Sequence, residues 1–430
     1  MNNQKGLLLP ITSSTSNSNL LNTGEGGGEG GSTTQHLLPK EEVIRSYFVN
    51  VENFNNNQQY EPPPINLSSE NELFILLNYV QVVGTGLDMF DINKCMVKVI
   101  PSKIKQVPAL KYAIYALTSR YLETKVENYP NDLTIQLYHS ALSHLLPSYN
   151  NRDKGVLVVT TCIILCVLEM MSSDPKNWSV YLSGCVLLLK SYKIDGFSKD
   201  DLERAIFWVF IRMDICYCVI NECQGILGSE YYFDHERFKK IELVDEIFSK
   251  YDMWANYIVY LNSLIMNLIY SNKEGEIFKK EWLELWDRLS KWYFNEVEME
   301  LFRPVHEYFD EKIQFPRIFY SNSQAISANQ MYHMGVIFMI QNKPRSVKLS
   351  NRQQSSSLTY HAKQIVGIGI TNNDYGGYCN SVQPLYVAGL ILTSKKEHGV
   401  LLSALRKVEE CTGWSTYWRC RDLMNYWCGC

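Results

Sequence analysis

The side chains best equipped for chemistry are few, and their spacing decides what they can do. Cys216, Cys218 and Cys223 lie close together in sequence. Tetrahedral zinc needs four converging ligands, usually two Cys-x2-4-Cys pairs. On a helix Cys216 and Cys218 point to different faces, so they are expected to be core thiols and not metal ligands. His333 and His361 have no Cys, Asp or Glu at motif spacing. They are expected to be hydrogen-bonded core histidines, not a catalytic or metal pair. No Gly-x-Ser-x-Gly, His-Glu-x-x-His or phosphate-binding loop occurs, and such motifs are what a nucleophile elbow, a zinc protease or a nucleotide site requires. No catalytic residue, no metal ligand and no cofactor is therefore expected, and the chain is expected not to be an enzyme. No individual ligand-binding residue stands out.

Other candidates read as structure. Arg212 and Asp214 sit in the apolar stretch that begins at Ala205. At i, i+2 they do not face each other, and an unpaired buried charge costs several kcal/mol, so each is expected to reach a different partner. Trp282, Trp286 and Trp292 are expected to be packing anchors rather than a ligand wall. Cys428-Gly429-Cys430 matches a short lipidation signal and is expected to be unmodified.

These residues must be carried by helices. Gly155–Leu168 has no charged residue and is apolar nearly all round. Such a helix must be wrapped by others, which makes 155–223 the middle of a large core. Lys154 and Glu169 bound the first stretch below the length of about 20 residues that a membrane span needs, so no membrane segment is expected. Around it the spacing predicts helices from Ser69 to about Val83, ended by Gly84 and Gly86. Others are predicted from Pro108, over Thr134–Leu146, from Asp174-Pro175 to Gly196, and from the cap Ser198-x-x-Asp201. Trp254–Tyr270, Glu276–Glu300, Gln324–Gln341, Leu358–Ile370, Pro384–Leu392, Gly399–Glu410 and Thr416–Trp427 complete the set. Pro304–Pro316 reads as irregular, Lys343–Ser357 as a polar, mildly basic loop, and Asn372–Cys379 as a glycine-bearing loop. The fold class is all-α. One large multi-helix domain over 69–430 has helix pairs packed around a central apolar helix. Residues 1–68 form a low-complexity arm rich in Asn, Ser, Thr and Gly, expected to be disordered because it cannot bury enough to offset chain entropy.

Apolar content of 46% against 20% charged is enough for a sizeable core. A net charge of −4 gives no pull toward nucleic acid or anionic membrane. Twelve cysteines in 430 residues, several in apolar runs, are not a disulfide framework. With no signal peptide, they fit a reducing intracellular compartment.

In order and spacing these pieces resemble the regulatory region of fungal zinc-cluster transcription factors, the fungal-specific transcription factor domain. The residues that carry the resemblance are Trp178 with Gly184, Ala205-x-Phe207-Trp208 with Arg212-x-Asp214-Ile215, and Phe315-Pro316 with Tyr332-His333 and Pro344. The C-terminal third adds His361-Ala362, Gly367-Ile368, Gln383-Pro384-Leu385-Tyr386-x-Ala388-Gly389 and Gly413-Trp414 with Trp418 and Trp427. The resemblance covers about residues 70–430. It implies an all-helical ligand-sensing or autoregulatory domain that modulates transcription in the nucleus or while shuttling with the cytoplasm. The resemblance includes the branch in which sterol-responsive regulators bind a lipid in a helical cavity. The family's DNA-binding module needs six cysteines beginning Cys-x2-Cys. Here the first cysteine is Cys95, and no Cys-x2-Cys pair occurs. The chain is then a truncated or divergent member, or its DNA-binding half is missing. The alternative is a helical ligand-binding or scaffold protein with no transcriptional role.

Four further expectations follow. The partners are other transcription regulators or co-regulators, and a hydrophobic small molecule is a candidate ligand. A hydrophobic cavity lies among the C-terminal helices with Thr371–Val382 at its mouth. There Gly376-Gly377 lets the loop move, and Tyr375 and Tyr378 cover the contents. A homodimer fits the paired half-sites on which relatives act. The chain does not bind DNA directly, because before residue 68 Lys5, Lys40 and Arg45 stand against Glu25, Glu29, Glu41, Glu42, Glu52 and Glu61. The densest basic run, Lys343, Arg345, Lys348 and Arg352, has no interleaved aromatics to stack on bases.

Overall fold

The computed structural model describes residues 65, 67–130, 132–149, 155–172, 175–228, 251–294, 300–349 and 356–429. The expected disorder of the N-terminal arm falls almost wholly on residues outside these, as do Asp174 and Arg352. The described residues are helical apart from loops and one two-stranded sheet, in line with the all-α class.

The first helix, α1 (Ser69–Asn78), is capped by Ser68, whose hydroxyl accepts from the Asn71 N–H at 3.2 Å. It does not stop at the glycines. The backbone continues as a π turn (Tyr79–Val83), α2 (Gly84–Leu87) and a 3-10 turn (Asp88–Phe90). Gly84 and Gly86 serve close approach instead. A Cβ on Gly84 would lie 2.7 Å from Val97, and one on Gly86 2.7 Å from Cys379 Sγ. Short α3 (Cys95–Lys98) and α4 (Ile100–Lys103) follow. Then come α5 (Pro108–Leu122), α6 (Leu133–Tyr149), α7 (Gly155–Ser172), α8 (Trp178–Tyr192) and α9 (Asp201–Asn221). Helix α6 runs through Pro147 rather than ending there. The Asp200 carboxylate, not Ser198, caps α9, accepting from the N–H groups of Leu202 and Glu203.

Neighbours in sequence pack as pairs: α5 on α6, α7 on α5 and α8, and α9 on α8. Helix α7 is buried from Leu157 to Met171 without a break. Among the described residues it is one of two stretches long and apolar enough to cross a membrane, with 69–90 the other, but 89% of its apolar window is enclosed by protein. Its burial, together with that of Ala205–Ile215 in α9, matches the expected centre of the core.

The second half adds α10 (Tyr251–Ile269), α11 (Gly275–Phe294), β1 (His306–Asp310), β2 (Phe315–Phe319) and α12 (Ser323–Gln341). After them come α13 (Leu358–Thr371), α14 (Tyr375–Cys379), α15 (Val382–Gly389), α16 (Lys395–Thr412) and α17 (Tyr417–Cys428). Helix α11 buries Trp282, Leu285, Leu289 and Trp292 on one face. Trp282 Nε1 donates to the Met339 carbonyl and Trp292 Nε1 to the Trp254 carbonyl, each at 3.0 Å. These tryptophans are the expected anchors, and each indole N–H finds a partner as a buried one must.

Helix α12 is a second central helix. It is buried over Gln324–Ile337 although it carries Gln324, Ser327, Asn329, Gln330 and His333. Tertiary partners make this tolerable. Asn329 Nδ2 donates to the Phe302 carbonyl at 3.0 Å, and Gln330 Oε1 accepts from Ser381 at 2.8 Å.

Two predicted loops are ordered elements. Pro304–Pro316 contains β1 and the start of β2, joined in an antiparallel hairpin with His306 opposite Phe319 and Tyr308 opposite Arg317. Its turn closes through Gln314 at φ 65° and the Asp310 side chain, which accepts from the Lys312 N–H. The second is Asn372–Cys379, which holds α14. Gly376 and Gly377 are buried there. A Cβ on Gly377 would lie 2.7 Å from Ile326 Cγ2, so these glycines let α14 lie against α12.

Candidate functional site: a cavity beside Arg212

Arg212 and Asp214 go to different neighbours, as their spacing requires. Asp214 accepts from the Ile226 N–H at 2.9 Å and the Leu227 N–H at 3.3 Å, pinning the chain that leaves α9. Burial pushes its carboxyl up to about 6, against the two N–H donors that favour the charge. Arg212 is 8% exposed. Its Nη2 donates to the Leu87 carbonyl at 2.7 Å, and the guanidinium lies 5.3 Å from the centre of the Phe90 ring. The Leu87 carbonyl ends α2, where the helix dipole favours a cation. Burial draws the guanidinium down to about 10, partly offset by Cys379 and Asp88, so it stays charged at neutral pH.

Arg212 stands between two voids and lines both. One, of about 10 Å3, is also lined by Asp252 and Asn256. Among the described residues, Arg212 Nη1, Asp252 Oδ1 and Asn256 Oδ1 find no hydrogen-bond partner. A donor and two acceptors around a space this size suit a single bridging water. The other is a cavity of about 80 Å3 with a wall of Met89, Met170, Met171 and Met213, and with Leu117, Val167 and Val209 beside them. Its polar lining comes from Arg212, Asn380, Cys216 and Cys379, with Tyr121, Tyr375 and Trp414 supplying aromatic edges. Tyr121 and Tyr375 meet edge to face at 6.0 Å.

The expectation of a cavity beside 371–382 is thus met in part. Tyr375, Cys379 and Asn380 line it, but Tyr378 does not; its hydroxyl donates to Asn373. The cavity lies where α14 and Trp414 meet the end of the first helical run and α5, α7 and α9, rather than among the C-terminal helices alone. About 80 Å3 is far below the roughly 300 Å3 at which drug-sized ligands fit. As it stands it takes a few heavy atoms, not a sterol. Methionine walls are the adaptable kind, because their unbranched side chains swing through several rotamers. Burial raises Cys216 to about 11 and Cys379 to about 12, in spite of Arg212. Both are neutral thiols at physiological pH. Cys218 is buried away from the cavity, and Cys223 lies beyond the end of α9.

The two candidate histidines do come together. His333 Nδ1 and His361 Nδ1 are 2.8 Å apart, both buried, so one ring donates and the other accepts. Tyr293, Tyr332 and Tyr360 surround them. Burial, and then His361, hold His333 well below the usual histidine range. The pair therefore joins α12 to α13, with His333 held as a neutral ring.

Sequence reasoning missed two polar groups near the core. Glu169, fully buried on α7, shares hydrogen bonds with Tyr138 and Tyr181, and burial pushes its carboxyl up to about 7. Asp88, also raised to about 7 by burial, accepts from the Met96 and Val97 N–H groups. The only signal was an acidic residue inside an apolar run. At the other end, Arg419 Nη2 donates to Gln383 at 2.8 Å and stacks 3.6 Å from the Tyr386 ring centre, fastening α17 to α15. On the surface, an open groove of about 420 Å3 between the hairpin, the end of α13 and α16 carries Arg317, Lys396 and Lys407.

A sequence model of the family described as "Fungal specific transcription factor domain" matches residues 87–427. Among curated proteins, the transcription activator AMTR1 of Alternaria alternata is similar at 20% identity over 86% of this chain. The chain spans 65% of that relative's length. No solved structure matches it.

Proposed function

The chain belongs to the fungal-specific transcription factor domain family, a family of transcription regulators and not of enzymes, and from that premise we propose that it senses a small molecule and passes the signal to other regulators. The observation that carries the ligand reading is the methionine-walled cavity in which Arg212 is the single charged side chain among the described residues. An occupant would combine a short apolar body with one acceptor, a carbonyl or carboxylate, for the guanidinium. The groove bearing Arg317, Lys396 and Lys407 suits an acidic segment of a co-regulator, since opposite charges steer and orient such encounters. The site of action is the nucleus, with exchange to the cytoplasm. Contact with DNA is made through a partner, in keeping with a net charge of −4.

The test is a reporter assay with the chain fused to a heterologous DNA-binding domain. Reporter output should change with the fusion, and a compound that raises the melting temperature of the purified chain should alter that output. Cys216→Leu, which fills the cavity, should abolish the compound's effect on both readouts while keeping the unliganded melt. A fusion that leaves the reporter unchanged under every nutrient and drug condition would favour a scaffold role instead.

A further inference from the structure

The hairpin offers a second copy of this chain a place to pair. Its two edges are unlike. On β2 the Ile318 N–H donates to Thr371 Oγ1 and the Tyr320 N–H to Asn372 Oδ1, while Asn372 Nδ2 donates to the Ile318 carbonyl. The end of α13 therefore covers that edge. Because 318 and 320 point outward there, residues 315, 317 and 319 face β1, and their register partners are Asp310, Tyr308 and His306. Alternation in an antiparallel ladder then aims the N–H and C=O groups of Glu307 and Phe309 away from β2. Among the described residues no hydrogen bond reaches them.

An open strand edge is a template for another strand, and proteins blunt it with proline, lysine or a bulge. β1 has no proline, lysine or bulge, and its charges are Glu307 and Asp310. Instead it is flanked by exposed apolar side chains: Val305 is 62% exposed, Leu301 56%, Tyr308 54%, Phe309 52% and Phe319 45%. Such a cluster marks an interaction surface.

We propose that two copies pair antiparallel through β1, with the two-fold axis at Tyr308, forming a four-stranded sheet across the dimer. The sequence His306-Glu307-Tyr308-Phe309-Asp310 is self-complementary in that register. Glu307 and Phe309 of one copy exchange both backbone hydrogen bonds with Phe309 and Glu307 of the other. His306 meets the other copy's Asp310, an acidic group already beside Arg317. The two Tyr308 rings meet at the axis in a non-hydrogen-bonded pair, where side chains come closest. This charge pairing selects a second copy over a neutral or uniformly charged strand. The inference is independent of the ligand reading.

Sedimentation velocity of the full chain at micromolar concentration tests it. The wild type should be a dimer. Tyr308→Lys, at an exposed position, places two like charges on the axis and should weaken it about tenfold. Glu307→Pro removes an outward N–H, which an edge strand tolerates, and should leave a monomer with an unchanged melt. Tyr308→Cys, in a background with Cys428→Ser and Cys430→Ser, should form a symmetric disulfide under mild oxidation, found as a 308–308 linked peptide. This last readout does not depend on how Glu307→Pro folds. A monomeric wild type would overturn the proposal. So would a dimer that ignores Tyr308→Lys and yields no 308–308 linkage, or capture of a different strand by a monomeric chain.

Discussion

Glu169→Gln should make the protein more stable at neutral and alkaline pH, and the size of the gain can be worked out. Glu169 is fully buried in α7, where burial holds its carboxyl at about 7 against an ordinary value of 4.5, with Tyr138 and Tyr181 pulling the other way. A raised carboxyl favours the protonated form in the folded state. Its contribution is intact below the unfolded value of 4.5 and is lost as pH rises through about 7. The gap of roughly 2.5 units, at about 1.4 kcal/mol each, is roughly 3 kcal/mol given up by pH 8. Glutamine is nearly the same shape, keeps a hydrogen-bonding group for the tyrosines and never ionises. Asp88 and Asp214 titrate in the same window in both proteins, so the difference between them isolates Glu169. Urea unfolding followed by circular dichroism, from pH 4.5 to 8, should show the variant gaining on the wild type by roughly 3 kcal/mol across that range. Parallel pH dependences would refute the reasoning and mean that Glu169 stays ionised in the fold.

Three further outcomes are expected. Trp282→Ala removes a fully buried indole and its hydrogen bond to Met339, and should cost about 3–5 kcal/mol in chemical unfolding. Gly367→Ala would drive a Cβ into the Pro316 carbonyl oxygen; the β2–α13 contact should loosen at a cost of about 1–3 kcal/mol, with faster amide exchange in the hairpin. Asp214→Ala leaves the Ile226 and Leu227 N–H groups without their acceptor, and should cost about 1–3 kcal/mol while restricting faster proteolysis to the segment after Asn221.

Much of the architecture was legible because it follows local rules. The charge-free run at 155–168 had to be enclosed, and α7 is. The spacing of Trp282, Trp286, Leu289 and Trp292 marked one face of α11; Trp282, Leu289 and Trp292 are buried, and Trp286 is half-buried and stacked on Trp282. The two-residue offset of Arg212 and Asp214 sent them to separate partners. The family, too, was written in the order of aromatic and small residues along the chain.

What escaped depends on contacts far apart in sequence. Gly84 and Gly376-Gly377 look like helix ends or hinges when read locally, since glycine both frees a backbone and permits close packing. Only Val97 and Ile326 lying against them decide for packing. Helix α12 looks too polar for a core until Phe302 and Ser381 arrive to satisfy Asn329 and Gln330. His333 and His361 carry no motif, and only the packing of α12 on α13 brings their rings to 2.8 Å. The cavity could be placed near 371–382 because a glycine-rich stretch lies there, but its far wall comes from α5, α7 and α9. Periodicity determines which face of each helix is apolar. Which helices share a void, and which buried polar atoms find each other, is settled only when the faces meet, because burial and hydrogen bonding are properties of pairs.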